Sequence, residues 1–157
     1  MVEQFRPTLE NVRVVWDGIK NREGMDLAFP DDEPMSEPTL IKWLQNSGVA
    51  VWDKDMGWVA FCTGIDRGKN AFIHILSWKK CPDLCHCCQH ALLQYLVAPY
   101  GLRRVTAIVP AWNRPGLLFC RKLGMKREGE VKEAGQKDGK WHPYIVFGLT
   151  AKELRGE

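Results

Sequence analysis

The chain has 157 residues and a formal net charge of +3, a size that fits one domain, residues 1–157, with a substantial core and no internal repeats. No run is long and apolar enough to cross a bilayer, and residues 1–6 lack the apolar stretch of a secretion signal, so a cytoplasmic protein with no membrane partner is expected. The basic residues are scattered, with only the pairs Lys79/Lys80, Arg103/Arg104 and Arg121/Lys122, which argues against a nucleic-acid partner held mainly through phosphates.

Residues 3–6 read as a short strand, and Pro7 and Thr8 lead into a helix over 9–20. Leu9, Val12, Val15, Trp16 and Ile19 recur there at helical spacing, and Thr8 can accept a hydrogen bond from a first-turn amide. The stretch 29–38 combines Pro30, Pro34 and Pro38 with Asp31, Asp32, Glu33 and Glu37, the composition of an acidic surface loop. Ser36 can cap a second helix that carries Leu40, Ile41, Trp43 and Leu44 and ends near Gly48.

Beyond Gly48 the apolar period falls to two. Residues 49–52 and 58–63 form a hairpin across the Asp- and Gly-rich turn 53–57, and a second turn at 64–70 leads to a strand over 71–78, giving an antiparallel meander. After Pro82 helical spacing returns at Leu84, Cys88, Ala91, Leu92, Tyr95 and Leu96, and it stops by Gly101. A strand at 103–109, a short helix after Asn113, a strand at 125–132, a turn at 135–139 and a strand at 141–149 complete the chain. Pattern alone gives an α+β domain with a mixed sheet.

The segment from Asn113 to Gly129 resembles the GNAT acyltransferase superfamily, in which this part of the chain runs N-x-x-A-x-x-L-Y-x-K-x-G-F. Asn113, Gly116, Phe119, Lys122 and Gly124 fall in step, Met125 replaces the usual aromatic, and Cys120 stands where many members carry a tyrosine. The element order β-α-α-β-β-β-α-β-α-β-β is also that of the family, so the resemblance extends over the whole chain. It implies a mixed, mostly antiparallel central sheet flanked by about four helices. It also implies an N-acyltransferase that takes acetyl from acetyl-CoA as cosubstrate and passes it, by direct attack, to a small-molecule or protein amine acceptor, with a homodimer as a common assembly. Some phage-encoded relatives act instead as binding or virion-assembly modules without catalysis, which is the second function the resemblance implies.

In the family the coenzyme pyrophosphate sits on a Q/R-x-x-G-x-G/A turn, where glycines admit the phosphates to a helix N-terminus. One register carries this signature onto Leu84, Cys87 and Gln89, the other onto Cys85, Cys88 and His90; neither recovers a glycine. The resemblance thus implies Cys85, His86, Cys87, Cys88 and Gln89 as cofactor-binding positions, with Asn113 near the pantetheine arm. An amide among Leu76, Ser77 and Trp78 would face the developing oxyanion. Asn113 is equally well placed as a plain helix cap.

Cys120 occupies the family's general-acid position. A thiol pKa of about 8.5 against about 10 for tyrosine makes proton donation feasible, but its reach is shorter, and the alternative is a core thiol. His74 is the one group on the central strand able to act as a base near neutral pH; alternation groups it with Phe72, Leu76 and Trp78, so a hydrogen-bonded core histidine is the other reading. Trp78 and Trp112 flank the cleft mouth in this alignment. The acidic loop would border the acceptor and attract a cation, or serve as a solvated linker.

Six cysteines in a chain without a secretion signal read as reduced thiols. Cys81, Cys85, Cys87 and Cys88 crowd together with His86 and His90, and thiolates three or four residues apart share a helix face able to bind metal. Their spacing does not make paired C-x-x-C knuckles, and no metal is expected.

Overall fold

The computed structural model describes residues 1–22 and 29–157. A two-residue strand, β1 (Glu3–Gln4), is followed by α1 (Leu9–Ile19), where the Asn11 amide donates to Thr8 Oγ1 at 3.2 Å. In α2 (Glu37–Gln45) the Thr39 amide donates to Ser36 Oγ at 3.3 Å, so both expected caps form. The meander is β2 (Val49–Asp53), β3 (Trp58–Asp66) and β4 (Asn70–Ser77). Helix α3 (Leu84–Leu92) continues through a wider π turn at Leu93–Val97 into the single turn α4 (Ala98–Tyr100), which Gly101 ends in a left-handed conformation. Then come β5 (Arg104–Pro110), α5 (Arg114–Lys122), β6 (Lys126–Lys137), β7 (Lys140–Thr150) and α6 (Ala151–Arg155).

The seven strands form one mixed sheet in the order β1-β2-β3-β4-β5-β7-β6, antiparallel except where β4 meets β5. Helices α1 and α2 cover one face, burying Val12, Val15, Ile19, Leu40 and Leu44 against Trp52, Val59, Phe61 and Leu76. On the other face α3, its π turn and α5 bury Cys88, Leu92, Leu96, Cys120 and Leu123 against Trp58, Ile73, Val105 and Phe147. The alternation read from β3 and β4 therefore divides two cores between the two sides of the sheet.

Three boundaries differ from the sequence reading. Strand β6 runs straight through residues 135–137, where a turn was expected, because a register shift between Val131 and Gly135, with Glu133 at φ 48°, absorbs the irregularity inside the strand. The reversal is instead the two-residue pair Asp138 and Gly139, both at positive φ, the combination that suits a tight hairpin. Strand β3 likewise extends past Thr63 through a register shift before Asp66. Helix α6 was not anticipated, although Thr150 and Glu153 form a reciprocal capping box whose spacing is visible in the sequence.

One irregularity positions the site. Strands β4 and β5 pair only at Asn70 with Arg104, Ala71 with Val105 and Phe72 with Thr106. Beyond these residues β4 runs on to Ser77 and β5 to Pro110 without further pairing, so the sheet opens into a notch between two strands of its own middle.

Candidate active site

The β4 wall of the notch is backbone. The Lys69 carbonyl accepts the amides of Arg103 and Arg104 at the closed end, while the Trp78 amide donates to the Gly57 carbonyl at 2.8 Å on the β3 side. Main-chain groups alternate sides along a strand, so those of Ile73, Ile75 and Ser77 face the gap and those of His74, Leu76 and Trp78 face β3. Of the three residues expected to offer an oxyanion donor, Ser77 alone turns its amide to the notch. The Trp78 amide is already committed, and Leu76 is buried in the α1/α2 core. Trp78 itself is a packing residue: a Cβ on Gly18 of α1 would stand 2.4 Å from its ring.

Next to the notch lies the first turn of α3. The Leu84 amide bonds the Cys81 carbonyl and the Cys87 amide bonds the Asp83 carbonyl, leaving those of Cys85 and His86 as the turn's free donors among the described residues. Asp83 places no side-chain cap on them. Lys122, at the end of α5, is close enough to Cys85 to oppose the upward push of burial on that thiol. Two orphan amides and a cation suit an anionic group. Cys87 and Cys88 lie deeper in the helix, Cys88 fully buried. The Gln89 side chain is occupied elsewhere, donating through Nε2 to the Leu123 carbonyl at 3.0 Å and so tying α3 to α5.

The side chains expected to move protons are enclosed. Cys120 is 5% exposed in the α3/α5 core, where burial, aided by nearby Cys85, pushes its pKa up to about 11. The His74 ring stacks on Phe61 at 4.9 Å, stands 6.5 Å from Trp43, and has its Nε2 3.0 Å from Thr63 Oγ1. Burial lowers its pKa, so the ring is neutral at neutral pH. Asn113 accepts the Gly116 amide on Oδ1 at 3.1 Å and is the N-cap of α5.

All six cysteines are free thiols. Among the described residues no three histidine, cysteine or carboxylate side chains are grouped to hold a metal ion. Cys62, Cys88 and Cys120 are buried, and desolvation raises all three pKa values, Cys62 to about 12. Titrating native protein with an aromatic disulfide reagent is expected to modify Cys81, Cys85 and Cys87 first and the buried three only on unfolding. Six equally fast thiols would contradict this packing.

A second wall, not anticipated in full, stands on the acceptor side. The loop after residue 28 is fastened to the β6–β7 hairpin: the Asp31 amide donates to the Gln136 carbonyl at 2.9 Å, the Gly139 amide to Asp31 Oδ2 at 3.2 Å, and Lys137 Nζ to the Phe29 carbonyl at 2.9 Å. Phe29 in turn packs on Trp43 of α2. Tyr144 and His142 of β7 meet Trp112 edge-on, at 5.9 and 5.3 Å. Trp112 was expected here; Tyr144 was missed, although alternation with buried Ile145 was the available signal. A surface groove of about 430 Å³ lies elsewhere, between the π turn and Arg155.

No protein-family model matches the sequence, and no curated protein sequence matches it. Solved structures do resemble the fold. An acetyltransferase from Salmonella typhimurium that modifies the N-terminal serine of ribosomal protein L7/L12 superposes with a TM-score of 0.74 at 17% identity, covering 95% of this chain and 94% of that one. The ribosomal-protein-S5-alanine acetyltransferase of Vibrio fischeri gives 0.71 at 14% identity, over 98% and 93%. A probable acetyltransferase of the GNAT family from Chromobacterium violaceum gives 0.75 at 15% identity, over 98% and 84%. At such identities the likeness establishes the fold, and the fold is that of the GNAT acetyltransferases.

Proposed function

We propose that the protein is an N-acyltransferase that moves acetyl from acetyl-CoA to an amine. The observation that carries this reading is the parting of β4 from β5 after Phe72, which leaves the main-chain groups of Ile75 and Ser77 facing a slot in the sheet with no partner on β5. An extended chain bearing amides can pair with such an edge as a strand would, and the pantetheine arm is of that kind. The free amides of Cys85 and His86, with Lys122 beside them, fit its pyrophosphate. Every position of that turn carries a Cβ, which restricts approach to the two outermost amides.

Bound acetyl-CoA supplies the thioester. The residues of this chain would orient it: the Ser77 amide, turned into the notch, would donate to the acyl oxygen, and Asn113 holds the entry to α5. Proton transfer is assigned to His74 as acceptor, through water, and to Cys120 as donor. Calorimetric titration with acetyl-CoA is expected to show one site per chain, and the absence of binding in the high micromolar range would remove the reading.

Cys120 favours a second reading. Donation from a thiol at about 11 to a thiolate of ordinary basicity, about 8.5, is uphill, which suits a binding or phage-assembly module that has kept the fold without the chemistry. Co-sedimentation with particles or partner subunits, in protein that does not turn over acetyl-CoA, is the result that reading expects.

A further inference from the structure

The arm of Arg22 crosses from one face of the sheet to the other and serves neither a core nor a helix cap. Helix α1 lies on the face that buries Val12, Val15 and Ile19, and its last turn sits over the end of β4, where a Cβ on Gly18 would meet the Trp78 ring. Arg22 follows one turn later, its amide bonded to the Ile19 carbonyl at 3.0 Å. Its Nη1 donates to Ser77 Oγ at 2.7 Å. That hydroxyl belongs to the opposite face: Ser77 stands directly across from Trp58, whose ring lies in the α3/α5 core, and cross-strand partners share a side. Between β3 and β4 there is no passage, because the two strands pair as far as Ser77 and the Trp78 amide bonds Gly57. The arm therefore passes the free edge of β4, at the open end of the notch. No other hydrogen bond or ion pair engages its guanidinium among the described residues.

A guanidinium carries five N–H donors and keeps its charge in proteins. Ser77 Oγ takes one donor and leaves the rest for an oxygen placed in the notch. In acyl transfer the amine nitrogen bonds the thioester carbon as the carbonyl π pair moves onto oxygen. That pair returns as the C–S bond breaks and its electrons leave on sulfur, and a proton lost by the nitrogen balances the thiolate. The charge that develops on the acyl oxygen calls for fixed donors and a cation rather than for a proton. We propose that Arg22 is a catalytic residue, its guanidinium joining the Ser77 amide on the acyl oxygen as negative charge develops there. The serine hydroxyl is the resting partner that keeps the arm at the notch. This role deepens the acyl-transfer reading and rests on it.

Calorimetry with three ligands tests the role without turnover: coenzyme A, acetyl-CoA, and S-carboxymethyl-coenzyme A, which carries a carboxylate in place of the acetyl group. The wild-type chain is expected to bind the carboxymethyl derivative about tenfold tighter than acetyl-CoA. In Arg22→Gln that preference disappears while coenzyme A itself binds as before. Arg22→Lys keeps part of the preference, and Ser77→Ala keeps nearly all of it. Arg22 is exposed, so these changes spare the fold. A preference that survives Arg22→Gln, or none in the wild type, overturns the role of Arg22 and leaves acyl transfer standing. An Arg22→Gln variant that loses coenzyme A as much as the carboxymethyl derivative overturns it too, because the arm would then hold phosphate. Failure of all three ligands to bind in the high micromolar range overturns the acyl-transfer reading, and the role of Arg22 with it.

Discussion

If the chain is the proposed acyltransferase, Ser77→Pro is expected to lower acetyl transfer by about a hundred- to a thousandfold, the usual cost of losing one oxyanion donor, and Ser77→Ala to leave it within a small factor of the wild type. The contrast follows from the direction of the amide. Trp78 already bonds Gly57 across to β3, so the neighbouring Ser77 N–H points into the notch and contributes nothing to the ladder. Proline deletes that N–H at the end of β4, where the N–H faces the notch and no ladder bond is lost, the edge-like setting in which a strand accepts proline. Alanine deletes only the hydroxyl, which accepts a hydrogen bond from Arg22 Nη1 at 2.7 Å. The measurement is kcat with acetyl-CoA and an amine, alongside the urea midpoint of each variant. A proline variant that is folded and fully active would deprive the Ser77 amide of its role.

Phe61→Ala destabilises the protein by about 3–5 kcal/mol, the range for truncating a buried aromatic. Phe61 is 1% exposed and stacks on His74, with the Trp43 ring of α2 6.3 Å away, so it joins the sheet to the helix that borders the acceptor side. The same change admits water to His74 and relaxes its lowered pKa. In the wild-type chain the folded His74 pKa lies below the unfolded value of about 6.5. The unfolded chain therefore takes up the proton first, and stability falls as the pH drops through that value. Urea midpoints at pH 7.5 and 5.5 are expected to differ in the wild type and to differ less in His74→Gln. A midpoint gap unchanged by the glutamine would place the pH dependence on another group.

The two faces of the sheet were readable from the sequence because period-two alternation through Val59, Phe61 and Ile73 is local and each side is buried. The motif from Asn113 to Gly124 was equally legible, since a cap, a lysine and a terminal glycine fix a short helix within a few residues. The notch was legible only through family resemblance. It arises from where β4 and β5 stop pairing, a relation between residues 34 positions apart, such as Phe72 and Thr106, that no local pattern encodes. The fate of the Trp78 amide depended on Gly57 in the same way. Tyr144 escaped notice because β6, its partner strand, breaks register twice, and the stretch from Glu133 to Gly139 carries the residue types of a loop.

Those breaks bear on how copies of the chain meet one another. The sheet ends on one side in β1, only two residues long, and on the other in β6, which presents Lys126, Arg127, Glu128, Glu130, Lys132 and Glu133 and changes register at Gly129 and again before Gly135. A strand arriving from solvent finds one edge too short to zip onto and the other of mixed sign and uneven pitch. Resistance to edge-to-edge polymerisation is thus written into the same distortion that brings Gly135, with no Cβ to clash, beside the Tyr144 ring.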